Sequence, residues 1–179
     1  MANFKKIQEK MEKTVIKHTD GTILSRYKIM YHECPDYTLM TALNCQVWCI
    51  PKDVVDNEML NSYGEQNGNA IVKTFTTVLD NAKYPLKYLG IYKTDTKQFV
   101  LFEGENDEGN FIIAFNKKFL TGVKYDNVWG YSPKGPALFY EGGIPVLLQA
   151  PCVLPDEVLK NIKEELSYLA KVEHFQFKI

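Results

Sequence analysis

The sequence predicts an α+β fold: a mainly antiparallel sheet with an N-terminal helix, one central helix and a C-terminal amphipathic helix. Three observations carry that reading. Aromatic residues make up 13% of the chain, with 11 Tyr and 10 Phe, and aromatics fit the pleated, half-buried surface of a sheet. Helical and strand-like patterns run in blocks instead of alternating, which favours α+β over a parallel α/β fold. A strand-to-helix junction also occurs three times, as Ile50-Pro51-Lys52-Asp53-Val54-Val55, Phe115-Asn116-Lys117-Lys118-Phe119-Leu120 and Leu154-Pro155-Asp156-Glu157-Val158-Leu159. In each, an apolar run stops at Pro or Asn, charged residues follow and apolar residues return. That pattern lets a buried strand hand over to a short helix on the same sheet. The copies are unevenly spaced, which argues against a tandem repeat array.

The elements follow in order. Residues 3–13 read as an amphipathic helix, with Phe4, Ile7 and Met11 at helical spacing among charged residues. Asp20-Gly21 is a turn signal between Thr14–His18 and Thr22–Tyr31, so a hairpin is expected there. Cys34-Pro35-Asp36 makes a second turn, and Tyr37–Ile50 reads as one or two strands ending at Pro51. Val54–Tyr63 reads as a short helix and Gly64–Asn69 as a polar break. Ile71, Phe75, Val78, Leu79 and Ala82 mark the apolar face of the central helix. It must stop near Lys83, because Pro85 disfavours helical geometry at Tyr84. Strands are expected at Tyr88–Lys93, Phe99–Glu103, Phe111–Phe115, Val128–Tyr131, Ala137–Tyr140 and Val146–Ala150. Thr94–Lys97, Gly104–Gly109 and Glu141-Gly142-Gly143 read as the turns among them. Residues 156–170 form the last helix, with Val158, Ile162, Leu166 and Leu169 as its buried stripe and Asp156 and Glu157 at its N-terminal dipole. Residues 1–62 read as a helix-and-hairpin extension and 63–179 as the α+β domain, with one continuous domain as the alternative.

Bulk properties bound the function. At 179 residues the chain can bury a core without staples. Its formal net charge of −1 lacks the strong basic balance that announces nucleic acid or an anionic membrane. Residues 1–17 are charged throughout, so no secretory leader is expected. No apolar run approaches the roughly 18–20 residues that span a bilayer. Cys34, Cys45, Cys49 and Cys152 are too few and too unevenly spaced for a disulfide framework. The expectation is a cytoplasmic protein with reduced thiols and no membrane association.

Motifs for chemistry are sparse. His32, Cys34, Cys45 and Cys49 are zinc-ligand types, but no Cys-x-x-Cys occurs. Strand periodicity instead puts Cys45, Val47 and Cys49 on one face, where free cysteine packs as a small apolar residue. No metal and no cofactor are therefore expected. His18 and His174 read as solvated, and no serine lies in a nucleophile elbow. The glycines match neither dinucleotide nor Walker spacing. Glu103, Glu105, Asp107 and Glu108 read as a solvated acidic turn. Catalytic residues are not identifiable. Lys73, Lys83, Lys117, Lys118 and Lys124 are candidate nucleic-acid contacts on short helices, weighed against ordinary scattered surface lysines.

From Ala70 to Pro155 the order and spacing resemble one domain of the sliding clamps of DNA polymerases. Ile71–Lys83 matches the first helix of such a domain. Phe115-Asn116-Lys117-Lys118-Phe119-Leu120 is similar to the strand-to-helix junction that opens the second. Val146-Leu147-Leu148-Gln149-Ala150-Pro151 is similar to the closing strand, and Val47–Val55 to the same junction in a preceding, truncated unit. The resemblance implies a DNA-associated, non-enzymatic interaction protein acting on DNA-replication or defence machinery. Lysine, asparagine and tyrosine usage suggests a phage or mobile-element origin. A protein partner is expected, DNA binding is expected to be weak alone, and a homo-oligomer is open. The alternative reading is a small-ligand module or an enzyme with a dispersed site.

Overall fold

The computed structural model describes residues 5–7, 9, 11, 30–41, 46–55, 58 and 68–176, with side chains at 68–69 and 171–176 left aside. Among the described residues, ten strands form two antiparallel sheets. The strands are β1 (Met30–Glu33), β2 (Tyr37–Thr41), β3 (Gln46–Pro51), β4 (Tyr84–Pro85), β5 (Lys87–Lys93), β6 (Gln98–Asn106), β7 (Gly109–Asn116), β8 (Asn127–Gly130), β9 (Ala137–Glu141) and β10 (Ile144–Gln149). One sheet has seven strands in the order β1-β2-β3-β10-β9-β8-β4, and the other is the meander β5-β6-β7. The helices are α1 (Gly68–Asn81), α2 (Lys117–Leu120) and α3 (Asp156–Gln176). Residues 5–7, 9 and 11 are also helical, in agreement with the periodicity at the N-terminus. The expected hairpin at Asp20-Gly21, His18, Cys45 and most of Val54–Tyr63 lie outside the described residues.

Strand alternation sorts the apolar residues into three cores. Met40, Trp48, Ile50, Val128, Phe139 and Leu147 of the large sheet face Val100, Phe102, Ile113 and Phe115 of the small one. Their neighbours Leu39, Val47, Cys49, Leu138 and Leu148 point the other way, onto Ile71, Phe75 and Val78 of α1 and onto Ala82 just after it. The outer face of the small sheet, with Phe99, Leu101 and Ala114, receives Leu154 and Ile162. The result is four layers: α1, seven strands, three strands, α3.

The inter-sheet core is aromatic at its centre. Phe115 and Phe102 each pack edge-on against Phe139, at centroid separations of 5.3 and 6.1 Å. Tyr125 closes the same cluster from outside at 5.0 Å from Phe139. Edge-to-face pairs of this kind add to simple burial.

Each of the three sequence junctions closes a three-stranded meander. β1-β2-β3 runs into a 3₁₀ turn at Lys52–Val54. β5-β6-β7 runs into α2, where Asn116 Oδ1 accepts from the Lys118 amide at 3.1 Å as an N-cap. β8-β9-β10 leads through residues 150–155 to α3. There the sequence expectation needs correcting. α3 does not lie on the sheet that precedes it. The Cys152 amide bonds the Ala114 carbonyl at 2.8 Å, which carries the chain across to the outer face of the other sheet.

Other details also depart from the sequence reading. Gly68 and Asn69 belong to α1 and not to a polar break. The two strands Tyr37–Thr41 and Gln46–Pro51, by contrast, agree with the expectation of one or two strands there. Gly104 lies inside β6, and only Asp107–Glu108 turn. A Cβ at Gly104 would stand 2.6 Å from Phe111 Cζ and 2.7 Å from Leu86 Cδ2, so the strand needs glycine for its lack of a side chain. β3 pairs with β10, so residues before and after position 62 share one sheet.

Candidate functional site

An apolar groove lies where the small sheet ends. Its floor is Val100 and Leu120, and its walls are Tyr88, Ile91, Val123 and Tyr125, with Lys117 and Thr121 at the mouth. Its volume is about 570 Å³. β5 supplies one wall and the α2–β8 connection the other. Tyr88 is 55% exposed and Ile91 42%, unusual for large apolar groups beside a core. Both residues stand beside buried cross-strand partners on β6. Tyr88 packs edge-on against Phe102 at 5.9 Å, and Ile91 sits opposite Val100. Burial pushes the Tyr125 hydroxyl above its usual range, and the neighbouring Tyr88 adds to the shift.

β5 is an edge strand among the described residues. Leu89 is the extra residue of a β-bulge, and Gly90 beside it has φ +143°. A bulge and flanking lysines blunt an edge against long strand addition. Recognition at this place therefore runs through side chains in the groove more than through a backbone ladder.

The lining of the groove carries one ammonium group, that of Lys117, and no carboxylate among the described residues. Cross-strand partners share a face of the sheet, so Lys93 and its partner Gln98 lie on the groove side, as do Ile91 and Val100. Lys117 Nζ donates to Gln98 Oε1 at 3.1 Å. Lys117 thus holds the amide of a residue whose cross-strand partner is Lys93. Of the carboxylates near the groove, Asp95 is exposed in the β5–β6 turn beside Lys93, and Asp126 and Glu103 have partners of their own. Asp126 accepts from the Gly142 amide at 2.7 Å and from Asn127 Nδ2 at 3.0 Å. Glu103 faces Lys87 at 3.9 Å on the opposite side of the small sheet.

The candidate lysines divide between layers. Lys73 is exposed on α1, outside the large sheet, and Lys83 is exposed where the chain turns into β4. Lys117 and Lys118 open α2, with Lys118 Nζ 4.8 Å from the Phe119 ring centroid, and Lys124 follows on the connection to β8. The large sheet stands between α1 and α2. Lys117 alone of the five lines the groove. Sequence reasoning missed Tyr88, Ile91, Val123 and Tyr125. An exposed tyrosine on a strand carries no signal until its neighbours are placed.

The cysteine and histidine candidates gather in part. His32 and Cys49 lie on either side of Leu39, all on the α1 face. The Tyr37 hydroxyl donates to Cys34, although burial still leaves that thiol above its usual range. Cys49 is pushed up to about 12, first by burial and then by Cys34. Cys34, Cys49 and Cys152 are free thiols. Among the described residues, no three metal-ligating side chains converge. No helix among them is long and apolar enough to cross a membrane.

Comparison with protein-family models, with curated proteins and with solved structures gives no match.

Proposed function

We propose that this chain is a non-enzymatic interaction protein that captures a segment of a partner protein in the groove between β5 and the α2–β8 connection. The observation that carries the reading is the pair Tyr88 and Ile91. Both are large, apolar and exposed; Tyr88 packs edge-on against the buried Phe102, and Ile91 stands on the paired strand opposite the buried Val100. Exposed apolar groups on a rigid base bind without paying for their own ordering, and apolar patches of this kind mark interaction sites. The replication or defence setting rests on the clamp-like order of residues 70–155 and the cytoplasmic setting on composition; neither rests on the groove.

The test is selection of binders from a random peptide library against the immobilised protein. The selected peptides should compete with one another, and Ile91→Asp should abolish their binding while melting as the wild type does. Peptides that bind Ile91→Asp undiminished would place recognition elsewhere and overturn the reading.

A further inference from the structure

We infer that the segment taken by the groove is acidic: a peptide with one or two large apolar side chains flanked by carboxylates. The inference rests on the interaction reading above and adds the chemistry of the partner. An apolar wall alone would accept any greasy segment. The polar part of this groove is not neutral. Lys117 stands at its mouth and holds Gln98, whose strand partner Lys93 lies on the same face. Among the described residues, no carboxylate lines the groove. Asp126 bonds the β9–β10 turn and Glu103 lies on the far face beside Lys87, while Asp95 stands in the β5–β6 turn between Lys93 and Lys97.

An incoming carboxylate could accept from the Lys117 ammonium group, with Lys93 and Lys97 adding positive charge beside it and Asp95 offsetting part of that charge. A lysine in the same place would meet like charge, which costs affinity and rejects basic partners. Gln98 matters too. Its amide oxygen anchors Lys117, so the ammonium group is positioned before the ligand arrives. An apolar anchor between Tyr88 and Tyr125 then sets the depth of binding, and the carboxylate sets its direction.

Three fluorescent peptides that share a Leu-Trp-Leu centre test the inference. One is flanked by glutamates, one by glutamines and one by lysines. The glutamate peptide should bind about tenfold more tightly than the glutamine peptide at low salt, with the gap closing as salt rises. The double variant Lys93→Glu/Lys117→Glu should reverse the order and favour the lysine peptide. Ile91→Asp should remove binding of all three. Equal binding of the glutamate and glutamine peptides, both lost in Ile91→Asp, would overturn the acidic partner and leave the groove as a neutral apolar site. Failure of all three peptides to bind would overturn both readings. A medium-chain alkyl carboxylate that displaces the peptides and binds more tightly than any of them would assign the groove to a small amphiphile and overturn the peptide.

Discussion

At the scale of single residues, close packing sets the strongest expectations. Gly104 sits where Leu86 and Phe111 cross β6, and a methyl group there would collide with both. The Phe111 ring is 8% exposed and cannot swing clear. Gly104→Ala should therefore cost about 1–3 kcal/mol, the usual penalty for overpacking, read as a lower urea midpoint with unchanged slope. A variant as stable as the wild type would mean that β6 shifts to make room. Cys49 provides a second test. Its thiol is raised from an ordinary 9.0 to about 12, and Cys34, Tyr37, Tyr125 and Tyr140 move upward for the same main reason, burial. A raised acid is stabilising while it is protonated in both states. That contribution is complete below pH 9 and is lost as the unfolded chain ionises first. The melting temperature should hold to about pH 8 and fall from about 9 to 12, and Cys49→Ala should lessen the fall. A flat profile across that range would show that the buried thiol titrates freely.

At the scale of elements, α3 shows how far periodicity can be trusted. The stripe Val158, Ile162, Leu166, Leu169 packs on the small sheet through its first three residues and leaves it at Leu169. Ile162 is 3% exposed and packs with Phe99 and Leu101, whereas Leu169 is 55% exposed. Ser167, Tyr168, Leu169 and Ala170 are all exposed, and four successive residues cover nearly a full turn. The helix has therefore passed the edge of the small sheet by that point. Spacing in the sequence reports which residues share a face, but not where the surface beneath them ends. Ile162→Asp should accordingly cost several kcal/mol by burying a charge. Leu166→Asp, half-buried, should cost less, and Leu169→Asp almost nothing. Thermal melts of the three variants give the order directly, and a Leu169→Asp protein as damaged as Ile162→Asp would refute the placement. The junctions were legible for the same local reason. An Asn or Pro after an apolar run fixes backbone geometry within a few residues, so the turn after β3 and the α2 cap could be read. The crossing from β10 to α3 depends on the Cys152–Ala114 bridge, a contact across 38 positions in the chain that leaves no local pattern.

At the scale of the whole molecule, layering explains why the sequence concealed the groove, and it limits how DNA could be held. Alternating apolar residues on both faces of β2, β3, β6, β7 and β9 imply sheets covered on two sides. They do not say which helix covers which face, or that the strands divide into sheets of seven and three. The groove exists because of that unequal division: the inter-sheet core opens beyond β5, where the smaller sheet stops. The same layering separates the candidate lysines. Lys73 lies outside the large sheet, while Lys117, Lys118 and Lys124 lie around α2 on its other side. A duplex touching α2 would meet three of them, and three phosphate contacts give a salt slope of about −3, shallow for a DNA-binding protein. With a net charge of −1 behind them, binding to free duplex should be weak, independent of sequence and gone by physiological salt. Lys117→Glu should weaken both this residual DNA binding and the glutamate peptide, whereas Lys73→Glu should leave the peptide untouched. A salt-titrated DNA-binding assay run beside a mass measurement in solution checks the whole expectation. Tight binding by a monomer, or preference for one sequence at any salt, would mean that the lysines act together on DNA despite the sheet between them, and that the groove is secondary to that surface.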